Sequence, residues 1–290
     1  MTIRHLNIFT SVADLGGMSK AARALHISQP SISQAISELE RYYGVKLFER
    51  LSQKLYLTKE GELLLSFSRH ILDSFNQMEE AMNQAAQKKT IKIGCSVSVG
   101  TCLINNILDE AEQHLPNCRF EVVVSNSTEI ELAVLKNEVD LAIAEGVVTN
   151  ENLIITPICE DELVVVCGKE HRLAHYDAVT LDMLHGQNYV SRESGSTNKN
   201  QFTQIMEERG YHLHPIFQST NTEAIKNAVL HGRGVAIFSR RMVEKEVASG
   251  EMVILPMKDV SVKRTFDLIL HKNKYISPEI KQMMNLLCNR

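Results

Sequence analysis

The stretch Met18 to Arg50, MSKAARALHISQPSISQAISELERYYGVKLFER, constrains the chain most, because it reads as two short helices joined by a tight turn and followed by the start of a wing. Ser19 is placed to cap a helix over 20–25, and His26-Ile27-Ser28 breaks it. Ser28 then caps a second helix, with Pro30 in its first turn, where an amide hydrogen would have no intrahelical partner. Ile32, Ala35, Ile36 and Leu39 recur at helical spacing and form one apolar stripe. Gln29, Ser31, Ser33, Gln34 and Ser37 cover the other face, with no acidic residue before Glu38. Hydroxyls and amides can donate and accept, which suits an approach to base edges and phosphates. A plain amphipathic helix pair has the same pattern, so the surroundings must decide.

Charge divides the chain. Residues 1–58 hold seven Lys/Arg and four Asp/Glu, hence +3; the whole chain is −4, so the remainder sums to −7. A weakly basic head on an acidic body fits contact with DNA at one end, in salt-sensitive fashion, and excludes a protein that coats nucleic acid along its length. With 44% hydrophobic residues, no Trp and no run of 18 apolar residues, no membrane span is expected. The N-terminus enters an amphipathic helix (Leu6, Phe9, Val12) without a secretory core, so a cytoplasmic location is expected. Six cysteines without a C-x-x-C pair are expected to stay as thiols.

From Thr58 to Lys88 there is no Pro and one Gly, at Gly61, which predicts a single helix of about 45 Å. Leu64, Ser68, Ile71, Phe75, Met78, Met82 and Ala85 follow a four-three spacing, the seam of a coiled-coil dimer. A two-fold dimer suits a reader of paired half-sites.

The head resembles the DNA-binding end of LysR-type transcriptional regulators. The matching residues are Phe9, Ala21-Ala22, Leu25, Ser28-Gln29-Pro30-Ser31, Ser33, Ile36, Leu39, Leu47-Phe48-Arg50 and Leu57-Thr58-Gly61. The resemblance implies operator contact through Ser28, Gln29, Pro30, Ser31, Ser33, Gln34 and Ser37, with Arg50 and Lys54 on the DNA backbone. Lys54 is the only cation between Arg50 and Thr58, so the wing is thinner in charge than the family's usual one.

After Gln87-Lys88-Lys89-Thr90 the pattern changes to short apolar strands (IKIGC, FEVVV, DLAIA, LIITPIC, DELVVVC, GVAIF, TFDLIL) alternating with helices, an α/β arrangement with covered sheets. This region is similar to the LysR-type effector-binding domain, on Asp140-Leu141-Ala142-Ile143, Pro157-Ile158, Glu162-Leu163-Val164 and Gly232-x-Gly234-Val-Ala-Ile. The expected architecture is therefore an all-α winged helix-turn-helix head (1–58), a linker dimerisation helix (59–89) and a bilobal, periplasmic-binding-protein-like α/β domain (90–290). Lobe I would hold 90–164 and 266–290, and lobe II 165–265. The resemblance also implies a homotetramer, and RNA polymerase as a further partner.

In open α/β sheets a ligand sits at the carboxyl ends of strands. Four strand-to-helix junctions there are rich in hydroxyls and amides: Ser96, Ser98, Gly100 and Thr101; Asn126 and Ser127; Arg192, Ser194, Ser196 and Thr197; Thr220 and Asn221. Each residue alone is equally a helix cap. Together with Arg192 they point to a small carboxylate or anion, and Glu145, at the end of DLAIA, could pair with an ammonium group. The functional conclusion is a DNA-binding regulator, dimeric or tetrameric, answering to a small-molecule effector between two lobes.

Other readings are weaker. Cys102 would lie in the first turns of a helix, where a dipole lowers a thiol pKa, so a redox switch using Cys95 or Cys102 is an alternative. A solute-binding protein or enzyme with a fused helical head is another. His171/His175 and His212/His214 lack a third nearby ligand, so no metal is expected. His231-Gly-Arg-Gly234 follows a helix and precedes a strand, the wrong order for a dinucleotide loop. Without a catalytic constellation, neither enzyme activity nor a cofactor is expected.

Overall fold

The computed structural model describes residues 1–51, 54–82, 89–146, 150–193, 197–258 and 260–288. The chain divides into two units: 1–87 with two short inserts from later in the chain, and the rest of 88–290.

In the first unit α1 (Ile3–Leu15), α2 (Met18–Ala24) and α3 (Gln29–Tyr43) enclose one core. Ile32, Ala35, Ile36 and Leu39 of α3 all face it, together with Phe9, Val12 and Ala21. Ser28 caps α3, its Oγ accepting from Ser31 N at 3.3 Å, and Pro30 stands in the first turn. Ser19 is not a cap: α2 starts at Met18 behind Gly17, because the chain reverses at Gly16, whose φ is 65°. The turn between α2 and α3 places His26 at φ 54°, a left-handed conformation rare for a side-chain-bearing residue.

Strands β1 (Phe48–Leu51) and β2 (Lys54–Leu57) form the antiparallel wing, and α4 (Lys59–Met82) follows. Thr58 joins wing to helix: its Oγ1 donates to Lys46 O at 2.6 Å and accepts from Gly61 N at 3.0 Å. A Cβ on Gly61 would stand 2.2 Å from Leu47 O, which explains a glycine in a helix. The expected seam is rotated in the first turns of α4. Leu64 packs on the head's core and Ser68 is buried, donating to Leu64 O at 2.7 Å. The exposed apolar stripe instead runs through Leu63, Phe67, Ile71, Met78 and Met82. Ala85 lies outside the described residues.

The second unit is built on one sheet, which among the described residues has seven strands in the order β10 (Met252–Ile254), β6 (Leu153–Gly168), β11 (Val262–His271), β5 (Leu141–Glu145), β3 (Lys89–Ser96) and β4 (Cys118–Ser125), with β9 (Ala236–Ser239) also on β6. β3 (Lys89–Ser96) leads into α5 (Val97–Cys102) and α6 (Ile104–His114), then β4 (Cys118–Ser125), α7 (Ser127–Leu135) and β5 (Leu141–Glu145). β4 and β5 flank β3 in parallel. The segments LIITPIC and DELVVVC are not two strands: they form the single β6 (Leu153–Gly168). The second lobe adds α8 (Leu181–Leu184), β7 (Asn188–Arg192), α9 (Thr197–Glu208), β8 (His214–Ser219), α10 (Thr222–Leu230), β9 (Ala236–Ser239), α11 (Glu244–Ala248) and β10 (Met252–Ile254). Then β11 (Val262–His271) returns antiparallel to both β6 and β5, and α12 (Pro278–Cys288) closes the first lobe.

Alternation places each strand between two layers. Leu141 and Ile143 of β5 meet α6 and α12, whereas Ala142 and Ala144 meet α7. On β6, Ile158 still packs in the first lobe's core, but Leu163 and Val164 lie in the two cores of the second. The crossing therefore falls between Cys159 and Leu163, a few residues before the expected position. β7 and β8 pair in parallel as a separate two-stranded sheet.

Candidate functional site

The polar face of α3 is exposed at Ser28, Gln29, Pro30, Gln34 and Ser37, and partly so at Ser31 and Ser33. Three of these side chains, Ser28, Ser31 and Gln34, are engaged within the head. Ser31 Oγ lies 2.8 Å from Ser28 Oγ, as part of the cap. Gln34 Nε2 donates to Glu38 Oε1 at 2.9 Å, and the other Glu38 oxygen lies 2.8 Å from His5 Nε2. The hydrogen bond from His5, and then that from Gln34, hold the Glu38 carboxyl below its ordinary pKa. Gln29, Ser33 and Ser37 are left as the face's open amide and hydroxyls among the described residues. Arg50 is exposed on β1, opposite Leu55 of β2. Lys54 begins β2, and its side chain lies outside the described residues.

In the second unit the four junctions do not contribute alike. Ser96 and Ser98 are buried at the start of α5, and both hydroxyls donate to one carboxylate, that of Glu145: Ser98 Oγ to Oε1 at 2.8 Å and Ser96 Oγ to Oε2. Ser96 Oγ also accepts from Val99 N at 3.3 Å, as helix cap. Glu145, at the end of β5, is 4% exposed, so the expectation of a carboxylate open to a ligand ammonium is corrected: its oxygens are taken by the protein. Gly100 faces β4 rather than a ligand, since a Cβ there would stand 2.7 Å from Val124 Cγ1. Thr101 is exposed and donates to Val97 O at 2.7 Å within its own helix.

The other junctions mainly act as caps. Asn126 Oδ1 accepts from Glu129 N at 3.0 Å, at the start of α7, beside Ser127. Asn221, exposed like Thr220, accepts from Glu223 N at 2.9 Å and Ala224 N at 3.3 Å. Arg192 is buried at the end of β7, but Glu193 holds its guanidinium in two bonds of 2.8 Å, so its charge is offset. Ser194 and Ser196 lie outside the described residues; Thr197 begins α9, and nothing is described of its side chain.

Three residues not singled out in the sequence join the first-lobe cluster. Arg264 of β11 donates from Nε to Asp161 Oδ2 at 2.7 Å, and its Nη1 lies 3.8 Å from Glu145 Oε1. Ser239 Oγ, at the end of β9, donates to Asp161 Oδ1 at 2.6 Å. Buried ionic groups persist where partners satisfy them, and here hydroxyls and one guanidinium do so.

Neither Cys95 nor Cys102 is poised for redox chemistry. Burial, and after it the nearby Asp161, pushes Cys102 up to about 12, against a smaller downward pull from Arg241. Its Sγ donates to Ser98 O at 2.9 Å. Burial, then Glu145, likewise raises Cys95 to about 12. The expected dipole effect on Cys102 is corrected: the residue ends α5 rather than opening it, and burial, then the nearby Asp161, raises the thiol pKa instead. Among the described residues no group of three His, Cys, Asp or Glu could hold a metal ion, and no helix is long and apolar enough to cross a membrane.

A family model described as the LysR substrate binding domain matches residues 84–289, and one described as a bacterial regulatory helix-turn-helix protein of the lysR family matches residues 3–62. The chain belongs to the LysR family. This LysR-family regulator is 30% identical over 284 residues to a probable RuBisCO transcriptional regulator of Synechocystis, across 95% of this chain and 82% of that protein. Its fold matches ArgP of Mycobacterium tuberculosis with a TM-score of 0.78 at 17% identity, over 98% of this chain and 95% of that one. The regulatory domain of Synechocystis CcmR, solved in complex with 2-PG, matches 69% of this chain and 96% of its own, with a TM-score of 0.65 at 22% identity. The LysR-family member described here is thus a DNA-binding transcription regulator with an effector-binding domain, and not an enzyme.

Proposed function

We propose that this regulator reads its operator with α3 in the major groove, and is controlled by a small carboxylate bound at Ser96 and Ser98 where β3 and β5 end. In the head, Gln29, Ser33 and Ser37 read base edges, Ser28, Pro30 and Ser31 fix the start of α3, and Gln34 joins them when it leaves Glu38. Arg50 and Lys54 take the phosphates. For the effector, the observation that carries the reading is the convergence of two buried serine hydroxyls on one carboxylate, Glu145. A donor pair that suits an internal carboxylate suits an external one, and the CcmR domain's complex with 2-PG shows that a related fold holds a small ligand. Arg192, already neutralised by Glu193, is secondary.

The exposed stripe of α4 from Leu63 to Met82 pairs two heads, because an apolar stripe of this length on a helix calls for a partner. Val123 and Val124 on edge strand β4, and Ile216 and Phe217 on β8, are exposed and supply a second contact that completes a tetramer. Its output is the rate at which RNA polymerase uses the promoter. Calorimetric screening of small carboxylates against the native protein, Ser98→Ala and Arg192→Ala tests the effector site. Binding lost in Ser98→Ala and weakened less in Arg192→Ala is expected; equal affinity in all three overturns it.

A further inference from the structure

Alternation along β11 puts Arg264 and Phe266 on one face, with Asp161 of β6 directly across from Arg264 and Glu145 of β5 directly across from Phe266. The guanidinium accordingly lies 5.7 Å from the centre of the Phe266 ring, with Nη2 2.6 Å from Asp161 Oδ2 and Nη1 3.8 Å from Glu145 Oε1. Asp161 in turn accepts from Ser239 of the second lobe. One chain of contacts thus runs from the Ser96 and Ser98 hydroxyls in the first lobe, through Glu145, Arg264 and Asp161, to β9 in the second.

Two facts give this chain a direction. Buried hydroxyl donors require an acceptor, and Glu145 supplies it. Glu145 is also closer to its serines than to Arg264, so a stronger ion pair remains available to it. A second carboxylate at those serines would compete for the same donors and repel Glu145, and Arg264 is the cation able to receive it.

We propose that Glu145 is a built-in occupant of the effector subsite, displaced by the effector's carboxylate onto Arg264, whose bonds to Asp161 and thence Ser239 carry the change into the second lobe. The inference rests on the effector reading above. It makes Glu145 a competitor of the ligand rather than a contact for it.

Thermal unfolding of the full chain with sodium acetate as probe, against sodium chloride at equal ionic strength, tests it. Glu145→Ala leaves the two hydroxyls and Arg264 around a space of carboxylate size. Its unfolding midpoint is expected to rise by about 3–5 °C for each tenfold of acetate above its Kd. The native protein should move by less than about 1 °C over the same range, since its subsite already holds a carboxylate. The Ser98→Ala/Glu145→Ala double variant should lose the response. No acetate response in Glu145→Ala, or an equal one in the native protein, overturns the proposal. Should Glu145→Ala not fold, Glu145→Asp, one methylene short of both hydroxyls, replaces it with the same expected sign and the same overturning results. Neither operator DNA nor a metabolite enters this measurement, whereas the effector reading fails in the calorimetric screen, so the two failures are distinct.

Discussion

The polar face of α3 and the polar cluster at the lobe crossing use the same small side chains under opposite conditions. On α3, Gln29, Ser33 and Ser37 keep their donors and acceptors turned to water, which DNA can replace with little reorganisation. At the crossing, Ser96, Ser98 and Ser239 are at most 1% exposed, and each is spent on a carboxylate of the protein itself. An open face is altered one side chain at a time. A satisfied buried cluster behaves as a unit, so its substitutions should be strongly non-additive.

The largest effect should come from breaking the unit. Arg264→Met leaves Glu145 and Asp161 buried without their cation and is expected to cost about 3–5 kcal/mol of stability in the second unit, read by denaturant unfolding. A cost below about 1 kcal/mol would mean that the cluster is not a unit. Next comes a packing effect confined to the head: Gly61→Ala sets a Cβ against Leu47 O and is expected to cost about 1–3 kcal/mol. It should lower the head's unfolding transition and leave that of the second unit in place.

On the open face the expected loss is in recognition, not stability. Gln29→Ala or Ser33→Ala should cost about 1–3 kcal/mol of operator discrimination in an anisotropy titration, with an unchanged melting temperature. Lys54→Ala should keep that preference while lowering the salt slope by about one. The reverse pattern would move base reading from α3 to the wing. The smallest effect concerns the Cys102 thiol, whose pKa in the folded protein, about 12, lies above that of the unfolded chain. Its contribution to stability is intact below the unfolded pKa and is lost only as pH rises past about 9. Alkylation of the folded protein at pH 8 should accordingly be far slower at Cys102 than in denaturant, as read by mass spectrometry.

These differences also decide what the sequence discloses. The core stripe of α3, its Ser28 cap and its polar face depend on neighbours three or four residues away, so all are legible. The start of α2 lies two residues before the expected one because a glycine reversal at Gly16, not Ser19, ends the preceding turn. The seam of α4 is legible as apolar but not in its phase, since Leu64 packs on a head core that α4's own pattern does not mention and Ser68 is buried against its own helix. Glu160, Asp161 and Glu162 resemble a break between two strands. They lie inside β6 because Arg264 and Arg240 meet Asp161 and Glu162 from segments 103 and 78 residues away. No local pattern announces such partners, which is why Arg264, Asp161 and Ser239 were not among the expected site residues. The pairing of Arg192 with Glu193, by contrast, was available from adjacency alone.

β6, finally, is owned by both halves of the second unit. Its sixteen residues span about 50 Å, and its hydrogen bonds serve β11 in the first lobe and β9 and β10 in the second. The lobes are therefore not modules on a string. Each lacks an integral strand without the other, so neither half should survive alone as a folded fragment. Relative movement must be a flexing of the paired β6 and β11, whose register already shifts at Phe266/Asp267. Such a joint is stiff along its length and compliant in one direction, so a displacement of Glu145, which lies across from Phe266 at that shift, would tilt the lobes rather than loosen them.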